Sequence, residues 1–239
     1  KPAQGNAGAF AQYAVAPTQL CAKTDGVDSV AAAGLPLAGL TAYQALFTKA
    51  GRTFTGDDLG NLKPNQKLLV IGGATLVGSF AVQLAKNVGA FVACTASAKN
   101  NARGVAKTEA CKALGADVVI DYGQDEWSDV LAGQEYDLVF DTIGKQEDWG
   151  QRVEGFEKGG DFISVANFAA DAAANESNVF KNFLLKSDGG DLRDLVAMVK
   201  AGKLTVPVDS VVPFADVPAA LARSLAQANA GKIVVDVAR

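Results

Sequence analysis

Val70-Ile71-Gly72-Gly73-Ala74-Thr75-Leu76-Val77-Gly78-Ser79 is an apolar run that stops in two glycines and passes at once into an amphipathic stretch. Leu68 to Ile71 is continuously apolar, as a strand covered on both faces must be. Val77, Phe80, Ala81, Leu84 and Val88 then recur at helical spacing, and Gly89 stands where a helix ends. Strand, glycine turn and helix in that order put unpaired amides and the positive end of a helix dipole beside a buried strand. That arrangement suits an anionic group.

Outward from this turn the rhythm repeats. Phe91 to Thr95 reads as strand, the segment up to Leu114 as helix, and Val118 to Asp121 as strand. Tyr136 to Asp141, Phe162 to Ala166 after Gly159-Gly160, and Phe183 to Leu185 read as three more. Short β-branched runs separated by longer amphipathic stretches predict an α/β fold, a doubly wound parallel sheet. The flanks differ. Phe10-Ala11-Gln12-Tyr13-Ala14-Val15 alternates like antiparallel β structure, and the segment Gly51 to Asn61 reads as a surface insertion. Near the end, helices are expected from about Asp191 to Gly202 and from near Asp216, with Pro218 in the first turn of the second. Ile233 to Val237 reads as a last strand.

The totals exclude several classes. A net charge of −4 without a basic cluster argues against nucleic acid. No apolar run approaches the ~20 residues of a membrane span, and the start, Lys-Pro-Ala-Gln-Gly, resembles neither a signal nor a transit peptide. Three cysteines (Cys21, Cys94, Cys111) without a CxxC spacing read as reduced, space-filling thiols. The expectation is a soluble, intracellular protein of the cytoplasm or of an organelle's stroma or matrix. The chain has no histidine, which removes Ser-His-Asp and Cys-His catalysis and the commonest zinc ligand.

The turn does not match the literal GxGxxG pattern; it reads Gly72-x-x-Thr75-x-x-Gly78. At the end of the second strand, where an acid would hold the ribose 2′-hydroxyl of NAD, the chain runs from Thr95 to Thr108 without one. Lys99 and Arg103 stand there instead, which suits the 2′-phosphate of NADP(H).

Five segments, in order, resemble the medium-chain dehydrogenases/reductases, and among them the zinc-free quinone oxidoreductase and enoyl reductase branch. They are Leu35 to Leu46, Gly78 to Lys86, Leu114 to Tyr122, Phe140 to Gly144 and Gly231 to Val235. The resemblance implies a Rossmann dinucleotide-binding domain over 35–205. Residues 1–34 and 206–239 would then belong to a GroES-like, β-rich catalytic domain whose front part is absent from this chain. It places Thr41 beside the nicotinamide and Gly72, Ala74, Thr75, Leu76 and Val77 at the diphosphate. It assigns Ser97, Lys99 and Tyr122 to the adenosine 2′-phosphate, and Thr142, Ile143, Ala166 and Asn167 to the nicotinamide side. Lys232 approaches the phosphates. The implied activity is hydride transfer from NADPH to a quinone or an activated alkene, without metal. Leu37 stands where the zinc-dependent branch has a cysteine ligand.

Thr75 and Leu76 replace family glycines, putting side chains where backbone should approach the diphosphate. That departure favours a second reading, a catalytically weak member serving as a binding or structural subunit, either a homodimer or part of a larger assembly. By residue type Tyr43 and Lys232 are the candidates for a general acid, and no catalytic residue is assigned. A short-chain dehydrogenase is excluded because no Tyr-x-x-x-Lys follows the fourth strand.

Overall fold

The computed structural model describes residues 8–47, 59–145, 160–166 and 179–238. By its internal contacts the chain divides into two compact units, Ala38–Lys186 and a second made from both ends, Lys1–Leu37 with Ser187–Arg239. The sequence reading puts the corresponding boundaries at 34/35 and 205/206.

The larger unit is built on a six-stranded, wholly parallel sheet: β1 (Lys67–Ile71), β2 (Phe91–Ala96), β3 (Val118–Asp121), β4 (Leu138–Asp141), β5 (Asp161–Ser164) and β6 (Val179–Asn182). The strands lie in the order β3-β2-β1-β4-β5-β6. The chain therefore starts in the middle, steps outward to β3 and restarts beside β1 with β4. The strand order reverses between β1 and β4, the switch point at whose carboxyl ends an open α/β sheet takes its ligand, and there Ile71 pairs with Asp141.

Alternation along the strands divides the core. Leu69, Ile71, Ala93, Ile120, Val139 and Phe162 share one buried cluster with Trp127, Leu131 and Tyr136. Their neighbours Leu68, Val70, Cys94 and Phe140, equally buried, face the other way. α1 (Ser29–Gly34) belongs to the smaller unit, α2 (Pro36–Phe47) leads into the sheet, and α3 (Leu76–Val88) packs on β1 and β2. α3 ends at Gly89, whose φ of 86° lets its amide close on the Ala85 and Lys86 carbonyls.

Four expectations need correction. Phe10 to Val15 forms no strand: Phe10, Tyr13 and Val15 are exposed, because alternation specifies a face but cannot supply a partner for the backbone. The helix before Leu114 is only α4 (Lys107–Ala113). Ahead of it Asn101 Oδ1 accepts from the amides of Arg103 (2.9 Å) and Val105 (3.2 Å), which holds a turn closed by an antiparallel bridge between Asn100 and Ala106. The sixth strand is Val179–Asn182 rather than Phe183 to Leu185. The Phe183 amide caps the ladder on the Ser164 carbonyl (3.1 Å), where β5 ends, and Leu184 is exposed. Most of the expected insertion lies outside the described residues, but its end is no surface loop. Leu59 is buried, and the Gly60 and Leu62 amides bond to the Ala45 and Leu46 carbonyls at the end of α2.

Beyond the sheet come the short α5 (Trp127–Val130), then α6 (Gly189–Lys200) and α7 (Val217–Leu225). In the smaller unit β7 (Val208–Pro213) and β8 (Lys232–Asp236) form a parallel pair. It is braced by Asp209, which accepts from Arg223 and from the Ala230 amide.

Candidate functional site: the carboxyl ends of the strands

At the end of β1, Gly72 has φ of 84°, a conformation that favours glycine. Its amide donates to the Thr95 hydroxyl (3.0 Å) and that of Gly73 to the Thr95 carbonyl (2.9 Å), tying the turn to β2. A Cβ at Gly73 would stand 2.7 Å from Cys94 Sγ and 3.2 Å from Cys111 Sγ. These two free thiols fill the space under the turn. The hydrogen bond with Cys111, together with burial, pushes the Cys94 thiol up, so it stays protonated.

Thr75 is the N-cap of α3, with extended backbone (φ −68°, ψ 162°). Its hydroxyl accepts from the Gly78 amide (2.9 Å) and lies 2.9 Å from the Thr142 hydroxyl. The side chain therefore turns back toward the strand ends. Among the described residues no hydrogen bond takes up the amides of Leu76 and Val77, which open α3. Gly72 and Gly78 are buried, whereas Ala74 to Val77 are half-buried. The turn thus offers the amides of Leu76 and Val77 at the head of α3, with the buried glycines behind them, donors that suit a diphosphate.

The end of β2 passes into Ser97, which is buried, and Lys99, which is exposed. Ser97 Oγ accepts from the Lys99 amide (3.1 Å). Asp121, at the end of β3, accepts from the amides of Ala98 and Gly123, both at 3.1 Å, and so holds the turn that carries Lys99. The sequence reading passed over Asp121; its signal is the Asp-x-Gly spacing of a side chain bonding two residues ahead. Arg103 lies in the exposed Asn101 turn rather than at a helix start. Tyr122 is 55% exposed, and Lys145 Nζ stands 5.6 Å from its ring centre, so a third cation joins Lys99 and Arg103 at this edge.

On the β4 side Asp141 is buried, at 1% exposure. Its carboxylate accepts from the amides of Ile143 (2.8 Å) and Gly144 (3.0 Å) and from the Ser164 hydroxyl (2.7 Å). It thereby shapes the segment Thr142 to Gly144 and links it to β5, a role the sequence reading missed. Ile143 and Ala166 are exposed beyond these strand ends, and Asn167 lies outside the described residues. Thr41 is buried on α2, and Tyr43, two residues on, sets its ring edge-on to Phe47 at 5.4 Å. Lys232 belongs to the smaller unit. It lines a cavity of about 300 Å³ there with Phe10, Ala33 and Val235.

Gly72 to Val77, Ser97, Lys99, Tyr122, Thr142 and Ile143 thus gather along the carboxyl edge of one parallel sheet, the defining arrangement of a dinucleotide-binding α/β protein. The chain belongs to the zinc-binding dehydrogenase family, whose model matches residues 114–235. It is 32% identical to an NADPH-dependent alkenal/one oxidoreductase, chloroplastic, of Arabidopsis thaliana, over 95% of this chain and 53% of that protein. It is also 32% identical to a chloroplast envelope quinone oxidoreductase homolog of the same plant, over 96% of this chain and 69% of the relative. Among solved structures, the quinone oxidoreductase from Coxiella burnetii superposes with a TM-score of 0.69 at 26% identity, over 84% of this chain and 59% of that one. The chain spans about half to two thirds of the length of these proteins. Among the described residues no helix is long and apolar enough to cross a membrane.

Proposed function

We propose that this chain is the dinucleotide-binding part of an NADPH-dependent, zinc-independent reductase of quinones or of alkenes conjugated to a carbonyl. The observation that carries the reading is the turn at 72–78, where Thr75 points inward and the Leu76 and Val77 amides stand at the head of α3. Those amides and the helix dipole offset the diphosphate charge. Ser97, Lys99 and Arg103 take the 2′-phosphate, with Tyr122 and Lys145 beside them. Thr142 and Ile143, shaped by Asp141, line the nicotinamide side together with Thr41 and Ala166. NADPH, when bound, supplies the hydride; the residues named here bind and orient it.

The relatives' names support the substrate class and, both being of the chloroplast, an organelle setting. The competing reading, a silent subunit, draws on Thr75 and Leu76 as obstructions and on the 51–61 insertion and the absent front domain, and it is at Thr75 that the structure bears on it. That argument weakens because the hydroxyl of Thr75 is engaged with Gly78 and Thr142.

The test is titration of the full-length protein, followed by nicotinamide fluorescence. NADPH is expected to bind tighter than NADH, and the double substitution Lys99→Ala/Arg103→Ala to weaken NADPH roughly tenfold or more with little effect on NADH. Equal affinities would refute the preference, and binding of neither nucleotide would favour the silent subunit.

A further inference from the structure

Thr75 and Thr142 are 67 residues apart, and their hydroxyl oxygens are 2.9 Å apart. Counting protons orders the bonds around them. The Gly78 amide can only donate, so Thr75 Oγ1 accepts from it (2.9 Å). Thr142 has one hydroxyl proton and two carbonyls in reach, Ile71 at 2.8 Å and Gly72 at 3.3 Å. The shorter bond takes that proton, which leaves Thr75 to donate to Thr142. Each proton is then used once, in a chain from the Gly78 amide through Thr75 and Thr142 to the Ile71 carbonyl.

We propose that this hydroxyl relay is the device that sets the diphosphate turn for its ligand, and that Thr75 and Thr142 are positioning residues acting as one unit. The inference rests on the dinucleotide-binding reading given above. The relay joins four pieces: the first turn of α3, the loop, the end of β1 and the end of β4. Its geometry explains two features. Thr75 has extended backbone that any residue adopts, so nothing at that position calls for glycine. Gly72 does need to be glycine, because a Cβ there would lie 2.6 Å from Thr142 Oγ1 and 2.7 Å from Ile143 Cδ1, the relay having drawn Thr142 against the turn. The Thr142 amide also bonds to the Ile71 carbonyl (3.1 Å), so the residue that anchors the diphosphate turn also begins the segment Thr142 to Gly144 on the nicotinamide side. Orientation of the two halves of the cofactor is thereby coupled through one side-chain contact.

The experiment uses Thr75→Val, Thr142→Val, the double variant, Thr75→Ser and Thr142→Ser in the full-length protein. It reads the NADPH dissociation constant and, without cofactor, amide hydrogen exchange over residues 72–79. Each valine variant should weaken binding about fivefold, the worth of one hydrogen bond. The double variant should be no worse than twice the poorer single one, since the two act together. Both serine variants should stay within twofold of the parent. Exchange over 72–79 should speed up in Thr142→Val, which leaves the helix-capping Thr75 in place. If Thr142→Val changes neither binding nor exchange while Thr75→Val changes both, Thr75 is only a helix cap and the relay is overturned; additive losses overturn it equally. If the parent protein binds no NADPH, the functional reading fails, and the exchange rates alone decide: faster exchange in Thr142→Val upholds the relay, and unchanged exchange overturns it. Should Thr75→Val not fold, the two Thr142 variants make the same decision.

Discussion

At Gly78 an added Cβ would run into the carbonyl oxygen of Gly72 and come within 3.0 Å of Gly73 Cα, so the first turn of α3 lies directly on the loop's backbone. Neither neighbour can yield as a flexible side chain would. Gly78→Ala is therefore expected to destabilise the protein by roughly 2–4 kcal/mol, read as a lower urea midpoint at unchanged slope. A change below about 0.5 kcal/mol would show that the helix can shift off the loop. The glycine itself was legible from its place after a buried strand. What it avoids was not, because the opposing carbonyl is brought in by the turn. The same holds at Gly73, which sits over Cys94 and Cys111, two thiols that come from β2 and α4.

The joint between α3 and the lead into β3 is made by charge. Lys86 Nζ lies 2.8 Å from Asp117 Oδ2 and 3.2 Å from the Ala90 carbonyl, and the same carboxylate accepts from the Val92 amide (2.7 Å). Burial pushes the Asp117 carboxyl up, but the Lys86 and Val92 hydrogen bonds outweigh it and leave the group below the usual carboxylate range. A depressed folded-state pKa contributes stability that is present above the unfolded value and lost as the pH falls through the folded one. Asp117→Asn should thus lower the thermal midpoint at neutral pH, and the gap to the parent should close as the pH drops below about 4. A gap that stays constant with pH would show that the charge plays no part. Helix α3 was readable from its periodicity, and its partner across the sheet was not. Nor were the ends of α4 and β6, where the Asn101 turn and the register with β5 override local pattern.

For the whole molecule, the metal question turns on ligands spread along the chain. The family resemblance puts Leu37 at the cysteine position of the zinc-dependent branch, and on that expectation the usual three-ligand site would lose a member. The purified full-length protein is expected to carry far less than one zinc per chain in elemental analysis; one equivalent would overturn the zinc-independent reading. The same scale governs the two compact units. The smaller one is assembled from both chain ends, with α1 packing on β7 and β8.

The sequence by itself determined the parallel α/β sheet, the glycine turn at its centre and the basic residues after β2, because strand burial and helix periodicity are written in neighbouring residues. Only the tertiary structure decided which strands adjoin. Placing β4 beside β1, with Ile71 opposite Asp141, is what brings Thr142 to Thr75 and turns an apparent obstruction into a cap. It also left Phe10 to Val15 unpaired among the described residues. The reason is the same in both cases: a hydrogen bond or a strand partner drawn from distant sequence depends on how the whole chain packs, and alternation or residue type in one segment carries no record of it.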